Sequence, residues 1–242
     1  MMSDFVTVTD LHKSFGGLKV LRGLTFAIPD GEMRVLLGPN GCGKSTFLKT
    51  LIGLYRPSGG EIRLAGERID GMHPHEIARR GVSTKLQVPS IFKELTVDQN
   101  LRIAVQRTTG ADATARAALI DETKDLIGLA DKSDLKAGTL SHGHQQWLEI
   151  GMAIASRPKL LLLDEPTAGM TPEETQQTVR IVTRLNKERG MSVVIVEHDM
   201  GFVAELAAQI LVLYQGTIFF EGSLKEVRSN ESVRDIYFGS RA

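Results

Sequence analysis

Residues 38–46 read Gly38-Pro39-Asn40-Gly41-Cys42-Gly43-Lys44-Ser45-Thr46 and match the pattern G-x-x-x-x-G-K-[ST]. The match lies between an apolar run, Met33–Leu37, and a helical pattern over Lys44–Leu54. A glycine-rich turn into an ordinary helix is the alternative, but it would not require all four fixed positions. The run, the loop and the helix together predict a phosphate-binding loop in an α/β fold.

Each fixed position of this loop has a chemical task. Gly41 and Gly43 allow the backbone to curl so that successive N–H groups face phosphate oxygens. The N-terminus of the following helix adds partial positive charge. Lys44 can reach the β- and γ-phosphates, and Ser45 can ligate Mg²⁺. The loop therefore predicts a bound nucleoside triphosphate with Mg²⁺, but it does not identify the base.

Cys42, the single cysteine of the chain, lies inside the loop. It is either a small residue at a variable position or a thiol whose pKa is lowered by Lys44 and the helix N-terminus. The second interpretation predicts that alkylation abolishes nucleotide hydrolysis and that bound nucleotide protects. A single cysteine forms no internal disulfide, which fits a reducing compartment.

A second motif ends an apolar strand, where Leu160–Leu163 is followed by Asp164 and Glu165. Asp164 is placed to hold Mg²⁺. Because side chains alternate along an extended chain, Glu165 points elsewhere and is placed to polarise a water that attacks the γ-phosphate. An ordinary strand end that reaches solvent is the alternative, and the phosphate-binding loop favours the catalytic interpretation.

The order of elements predicts an α/β fold with a helical insertion. Strand patterns precede residue 38, the pattern turns helical from Val97 to Ala155, and apolar strands then alternate with helices. We expect one domain over residues 1–242. Its P-loop NTPase core, with an N-terminal antiparallel β layer, covers 1–90 and 156–242, and an α-helical subdomain is inserted at about 91–155. The polar stretch Thr108–Ala118 is predicted to be a loop that leads into a helix.

Composition limits the classes of partner. The chain has 29 basic and 29 acidic residues, so its formal net charge is zero. It therefore has no basic excess to attract nucleic acid or anionic lipid. Its apolar runs are far shorter than the roughly 20 residues of a membrane helix, and Met1–Asp10 is not typical of a secretory signal. We expect any membrane role to require a partner protein.

Between the two nucleotide motifs lies Leu140-Ser141-His142-Gly143-His144-Gln145-Gln146. This stretch resembles the signature motif of ABC ATPases, usually Leu-Ser-Gly-Gly-Gln, from which His142 and His144 depart. His142 resembles the residue that the hydrophobic amino-acid and urea importer branch carries. Ser141 is also typical of a helix N-cap. The two roles are compatible, because a helix that starts there aims N–H groups at a phosphate on a second subunit.

Other landmarks of that family follow in order along the chain. Gln87 resembles the Q-loop glutamine, which senses Mg²⁺ and contacts the membrane subunit. His198 resembles the switch histidine at the γ-phosphate, and Phe15 resembles the aromatic residue that stacks on adenine. Taken alone, Gln87 could be a surface residue, His198 structural and Phe15 part of the core. Thr167–Met170 occupies the D-loop position without its usual aspartate.

The resemblance covers essentially the whole chain and implies an ATP-hydrolysing subunit of an ABC importer, with ATP and Mg²⁺ as cofactors. In that family two cassettes face each other head to tail, and each ATP lies between one phosphate-binding loop and the other chain's signature. The residues implied from one side are Lys44, Ser45, Gln87, Asp164, Glu165 and His198, with Ser45, Gln87 and Asp164 near the metal. Ser141 and Gly143 are implied from the other side.

The resemblance also implies the partners. These are a second ATP-binding subunit, identical or different, transmembrane permease subunits and, indirectly, a solute-binding protein. The implied location is cytoplasmic, on the inner face of the cell membrane. Trp147–Gly151 and Ala168–Met170 look most like the subunits of urea or branched-chain amino-acid importers.

Three alternatives stay open at this point. The chain could be an exporter cassette, a non-transport ABC ATPase that acts on DNA or the ribosome, or a regulatory module without useful turnover. Proteins of the second class usually carry two cassettes or a long coiled-coil insert, and this sequence has neither. A basal ATPase assay would separate the third.

Overall fold

Two sheets and the helices around them form the molecule, for which a computed structural model describes residues 4–85, 91–106 and 112–238. The strands are β1 (Asp4–Phe15), β2 (Leu18–Pro29), β3 (Met33–Leu37), β4 (Gly59–Leu64), β5 (Glu67–Arg68), β6 (Val82–Lys85), β7 (Leu160–Asp164), β8 (Ser192–Val196), β9 (Gln209–Tyr214) and β10 (Thr217–Gly222). The helices are α1 (Lys44–Leu51), α2 (Pro74–Arg79), α3 (Val97–Val105), α4 (Ala113–Ile127), α5 (His142–Ile154), α6 (Pro172–Arg189), α7 (Met200–Leu206), α8 (Leu224–Ser229) and α9 (Glu231–Phe238).

The first sheet is antiparallel and has the strand order β2-β1-β4-β5. The second has the order β10-β9-β3-β8-β7-β6, and only its edge strand β10 runs antiparallel to its neighbour. The predicted α/β architecture with an antiparallel layer is therefore present.

The central strands of the second sheet separate two hydrophobic cores. Leu160 and Leu162 of β7 face the core shared with the antiparallel sheet, α1 and α2. Leu161 and Leu163 face the core formed with the helices from α3 onward. Because both faces are covered, β3, β7 and β8 are buried throughout, which explains why their sequences are apolar runs rather than alternating patterns.

The boundaries of several elements differ from the sequence prediction. Helix α1 ends at Leu51 rather than Leu54, because Gly53 adopts a left-handed conformation (φ +77°). Helix α4 begins at Ala113, inside the stretch predicted as a loop, where the Asp112 side chain accepts a hydrogen bond from the backbone N–H of Ala115. Residues 107–111 of that stretch lie outside the described residues. The prediction also missed β5, α2, α8 and α9, which are short.

No helix in the described part of the chain has both the length and the apolarity that a membrane span requires.

Candidate functional site

The polar residues predicted to act lie where parallel strands of the second sheet end. Strand β3 leads into the phosphate-binding loop, β7 ends at Asp164, and β8 is followed by Glu197 and His198. Strand β8 lies between β3 and β7, so these strand ends are adjacent. In open α/β sheets, the carboxyl ends of parallel strands are the usual place for a ligand.

Two glycines are required by the path of the loop. A Cβ on Gly38 would lie 2.2 Å from the carbonyl oxygen of Leu213 in β9. Gly43 caps α1 with a φ of +114°, and a Cβ there would lie 2.8 Å from a methyl carbon of Leu21. The first turn of α1 has no acidic side chain. Its unpaired N–H groups and partial positive charge are thus available to an anion.

Lys44 points into the loop that precedes it. Its side chain is 7% exposed overall, and its ammonium donates hydrogen bonds to the carbonyl oxygens of Gly38 (2.6 Å) and Pro39 (3.1 Å). Burial raises the pKa of the Cys42 thiol, and the nearby charge of Lys44 offsets this only in part. The hypothesis of a thiol with a lowered pKa is therefore wrong, and Cys42 is a buried small residue of the loop.

Asp164 has the properties of a metal ligand. It is 2% exposed. Burial raises the pKa of its carboxyl most, and the negative charge of Glu165 raises it further. A hydrogen bond from Ser45 and the charges of Lys85 and Lys44 lower that pKa in part. Its Oδ1 atom has no hydrogen-bond partner among the described residues. A buried carboxylate oxygen that lacks a protein donor, close to the Ser45 hydroxyl, fits the oxygen ligands that Mg²⁺ prefers. No group of three or more His, Cys, Asp or Glu side chains within the described ranges could hold a metal alone.

Glu165 and His198 form a pair at the carboxyl ends of β7 and β8. The Nε2 atom of His198 lies 3.1 Å from Oε1 of Glu165, and both side chains are partly exposed. Glu165 has a φ of +48°, which is rare for a residue with a side chain, and its N–H donates to the carbonyl of Val196 (2.9 Å). Five other non-glycine residues among those described have a similar φ, so the conformation of Glu165 shapes the turn after β7 but does not by itself mark a functional residue.

The signature stretch begins helix α5. The Ser141 hydroxyl accepts a hydrogen bond from the N–H of His144 (3.2 Å), so the predicted N-cap is confirmed. The same hydroxyl donates to Glu174 in the first turn of α6 (3.0 Å), and a Cβ on Gly143 would lie 2.2 Å from the Glu174 carboxyl carbon. Within one chain, the described contacts of Ser141 and Gly143 are therefore with α5 and α6 rather than with the phosphate-binding loop.

The two histidines of the signature have different surroundings. The His142 ring lies 3.0 Å from the carbonyl oxygen of Ala168 and so joins the signature to the loop after β7. The His144 ring packs edge-on against Trp147 with 5.0 Å between ring centres. Burial lowers the pKa of His144, and the charge of Lys132 lowers it further. The lowered pKa favours the neutral form of the His144 ring.

Phe15 lies at the end of β1 and is 43% exposed, so the interpretation as a core residue is wrong. Its ring packs edge-on against Tyr55 at 5.1 Å, and the ammonium of Lys13 lies 4.7 Å from its centre. The remaining exposed surface can stack on a base. Gln87 lies outside the described residues.

Three charged residues near these groups were not predicted from the sequence. Glu197, 3% exposed, follows β8 directly. Lys85 ends β6, and its ammonium lies 3.9 Å from a carboxylate oxygen of Glu149 in α5. Burial lowers the pKa of Lys85, while the charges of Glu149, Asp164 and Glu197 raise it. Glu174 contacts the signature serine. The available signal was a charged residue directly after an apolar strand, which holds for Glu197 after β8 but not for Lys85 in β6.

Comparison with known proteins places this geometry in a family. The family model described as ABC transporter matches residues 21–168. The chain is 34% identical over 253 aligned positions to the high-affinity branched-chain amino acid transport ATP-binding protein BraF of Pseudomonas aeruginosa, covering 99% of both chains.

Two solved structures are similar over most of their length. The ADP conformation of MJ1267, an ATP-binding cassette of an ABC transporter, has a TM-score of 0.87 and 27% identity, covering 98% of this chain and 99% of that one. The dimeric ATP-binding cassette MJ0796 in a post-hydrolysis state, bound to ADP and Pi, has a TM-score of 0.80 and 25% identity, covering 90% and 98%. The chain therefore belongs to the ABC transporter family, as one of its ATP-binding, ATP-hydrolysing cassettes.

Proposed function

We propose that this chain is the ATPase subunit of an importer for a small polar solute, with branched-chain amino acids favoured over urea. The observation that carries the proposal is the meeting of Lys44, Asp164 and the Glu165–His198 pair at adjacent strand ends. The relative BraF, aligned over nearly the full length, favours the branched-chain amino acids as solute.

Each residue has a role in this proposal. The phosphate-binding loop, residues 38–46, binds the phosphates through those backbone N–H groups that it has and through the ammonium of Lys44, and Phe15 stacks on adenine. Ser45, Asp164 and Gln87 would hold Mg²⁺, which supplies positive charge to the β- and γ-phosphates when bound. Glu165 accepts a proton from the attacking water. His198, held 3.1 Å from Glu165, orients that carboxylate and contacts the γ-phosphate.

The proposal requires a second cassette and a membrane partner. Ser141 and Gly143 of one chain would contact the ATP bound by the other, and the dimeric state of MJ0796 supports such a pairing. We also propose that residues 91–155 act as a helical subdomain on a core of 1–90 and 156–242. Gln87 and the helical subdomain would contact the permease subunits at the inner face of the membrane. A solute-binding protein would deliver the solute to them.

Glu165→Gln tests the assignment of the base. The variant should bind ATP as the wild type does, because the loop and Lys44 are unchanged, and should hydrolyse it about 10²–10⁴-fold more slowly. Lys44→Ala should lose ATP binding as well as turnover. Glu188→Gln, an exposed change in α6, is the matched control and should keep wild-type turnover. Wild-type turnover in Glu165→Gln would reject the role of Glu165.

The importer assignment needs a transport assay. Vesicles that contain the cognate permease subunits and this chain should accumulate labelled leucine when ATP and the solute-binding protein are present. The Glu165→Gln complex, assayed in parallel, should not. Accumulation of urea but not leucine would show that urea is the transported solute. ATP-driven efflux would reject the importer assignment.

A further inference from the structure

We propose that Glu197 is a positioning residue, which fixes the switch histidine His198 and the loop after β7 relative to Glu165. The inference rests on the proposed function of the site, since it assigns Glu197 a task only if Glu165 and His198 act on ATP.

Glu197 joins two segments through the two oxygens of one carboxylate. Its Oε1 atom accepts hydrogen bonds from the backbone N–H of Thr167 (3.3 Å) and from the Thr167 hydroxyl. Its Oε2 atom accepts from the backbone N–H of His198 (2.8 Å). Thr167 follows strand β7 and His198 follows strand β8, so the carboxylate spans the two strand ends.

These contacts determine where Glu165 lies. The turn that begins at Glu165 is held at its start, where the Glu165 N–H donates to Val196 (2.9 Å). It is held two residues later by Glu197, through Thr167. The N–H of Met170 donates to the carbonyl of Thr167 (3.1 Å), which continues the turn toward α6. The 3.1 Å separation of the Glu165 and His198 side chains therefore depends on both anchors.

The turn that Glu197 holds through Thr167 also contacts the signature stretch. The carbonyl oxygen of Ala168, next to Thr167, is the partner of the His142 ring (3.0 Å). Glu197 is thus connected through one turn to the residue after the Ser141 cap. A shift of Thr167 would move the surroundings of Glu165 and of the signature together.

A carboxylate is required here by its number of acceptors. Burying a charge costs several kcal/mol unless donors surround it. Glu197, 3% exposed, has three donors and the buried ammonium of Lys85 nearby. A glutamine of the same shape has one carbonyl oxygen, and its amide group would face N–H donors on the other side. Either the Thr167 contacts or the His198 contact would be lost.

Glu197→Gln in the full chain is the test, with kcat, ATP affinity and melting temperature measured together. We expect kcat to fall by about tenfold or more, because small misplacements of reacting groups are costly. ATP affinity should stay within about threefold, because the phosphate-binding loop and Phe15 are untouched. Thr167→Val, which removes only the hydroxyl donor, should lower kcat less, and Thr167→Ser should restore it.

Asn186→Asp is a matched control for a purely structural effect. The Asn186 amide also joins two segments, donating to the carbonyls of Gly31 (2.7 Å) and Met191 (2.9 Å). Gly31 and Met191 precede β3 and β8, so they lie at the opposite ends of these strands from the site. Asn186→Asp turns an acceptor toward two acceptors, as Glu197→Gln turns a donor toward donors, so it should lower the melting temperature and leave kcat unchanged.

The outcomes separate this inference from the proposed function. Wild-type kcat in Glu197→Gln, or in Thr167→Val if the first variant does not fold, overturns the positioning role. A loss of kcat in Asn186→Asp equal to that in Glu197→Gln also overturns it, because the loss then follows stability alone. If the wild-type chain hydrolyses no ATP with its cognate subunits, the proposed function fails first.

Discussion

Asp164→Asn should make the nucleotide-free protein more stable and remove its response to Mg²⁺ and ATP. In the wild type the carboxylate is 2% exposed, its Oδ1 lacks a described partner, and the charge of Glu165 is next to it. Asparagine keeps the size of the side chain and removes the charge. Sites that bind cations are commonly destabilised when empty, because their ligands repel one another and lack donors.

The size of the effect follows from the groups around Asp164. A buried, unsatisfied polar group costs about 1–3 kcal/mol, and more when it is charged. The attraction of Asp164 to Lys44, Lys85 and Ser45 is lost in the variant and offsets part of the gain. We expect a net gain of about 1 kcal/mol, or a melting temperature about 2–4 °C higher for a chain of this length.

Bound Mg²⁺ and ATP should make the wild type more stable than the Asp164→Asn variant. At a concentration of about 100 times Kd, Mg²⁺ and ATP stabilise the wild type by about 2.7 kcal/mol. The variant should lose most of that increment because it lacks one metal ligand. With ATP and EDTA, where Lys44 still binds phosphate, both proteins should gain a smaller amount, and the variant should gain at least as much as the wild type because it lacks the negative charge of Asp164 near the phosphates. Thermal unfolding with and without each ligand measures all of these differences.

Acid should abolish the difference between the two nucleotide-free proteins. The folded pKa of Asp164 is raised above its ordinary value of 3.8. The ionised carboxylate therefore lowers the free energy of unfolding of the wild type at pH values above the folded pKa, and this loss is the penalty. The penalty fades as pH falls through that pKa, and it is absent below 3.8. Asp125→Asn, at an exposed site in α4, should have no effect at any pH. A nucleotide-free Asp164→Asn protein that unfolds below the wild-type temperature at neutral pH would refute this reasoning.

Three further predictions follow from single contacts. Iodoacetamide should modify Cys42 more slowly than a peptide thiol at neutral pH, since burial raises its pKa; a faster rate in the folded protein would contradict this. Trp147→Phe loses the indole N–H donated to Thr178 (2.9 Å) and should cost about 0.5–1.5 kcal/mol in denaturant unfolding, with unchanged ATPase activity. Gly143→Ala forces a methyl group against Glu174; ATP binding should persist while turnover falls, and normal turnover would count against a signature role.

The predictions that agree with the structure were based on local motifs. The apolar runs before Gly38 and Asp164 form buried strands, and apolar strands alternate with helices after residue 155 as predicted. These features depend on a few consecutive residues, because a cap, a glycine turn or a buried strand is determined by near neighbours. The short helices α8 and α9 were missed because six to eight residues give a weak helical period.

The sequence by itself determined the type of fold, the phosphate-binding loop and the order of the family's motifs, since each is written in consecutive residues. Only the tertiary structure decided which side chains meet across strands. It buried Cys42, so that desolvation outweighs the charge of Lys44 two residues away. It also brought Glu197 to Thr167, 30 residues distant in sequence. Both outcomes depend on strand order and burial, and these are properties of the packed sheets rather than of neighbouring residues.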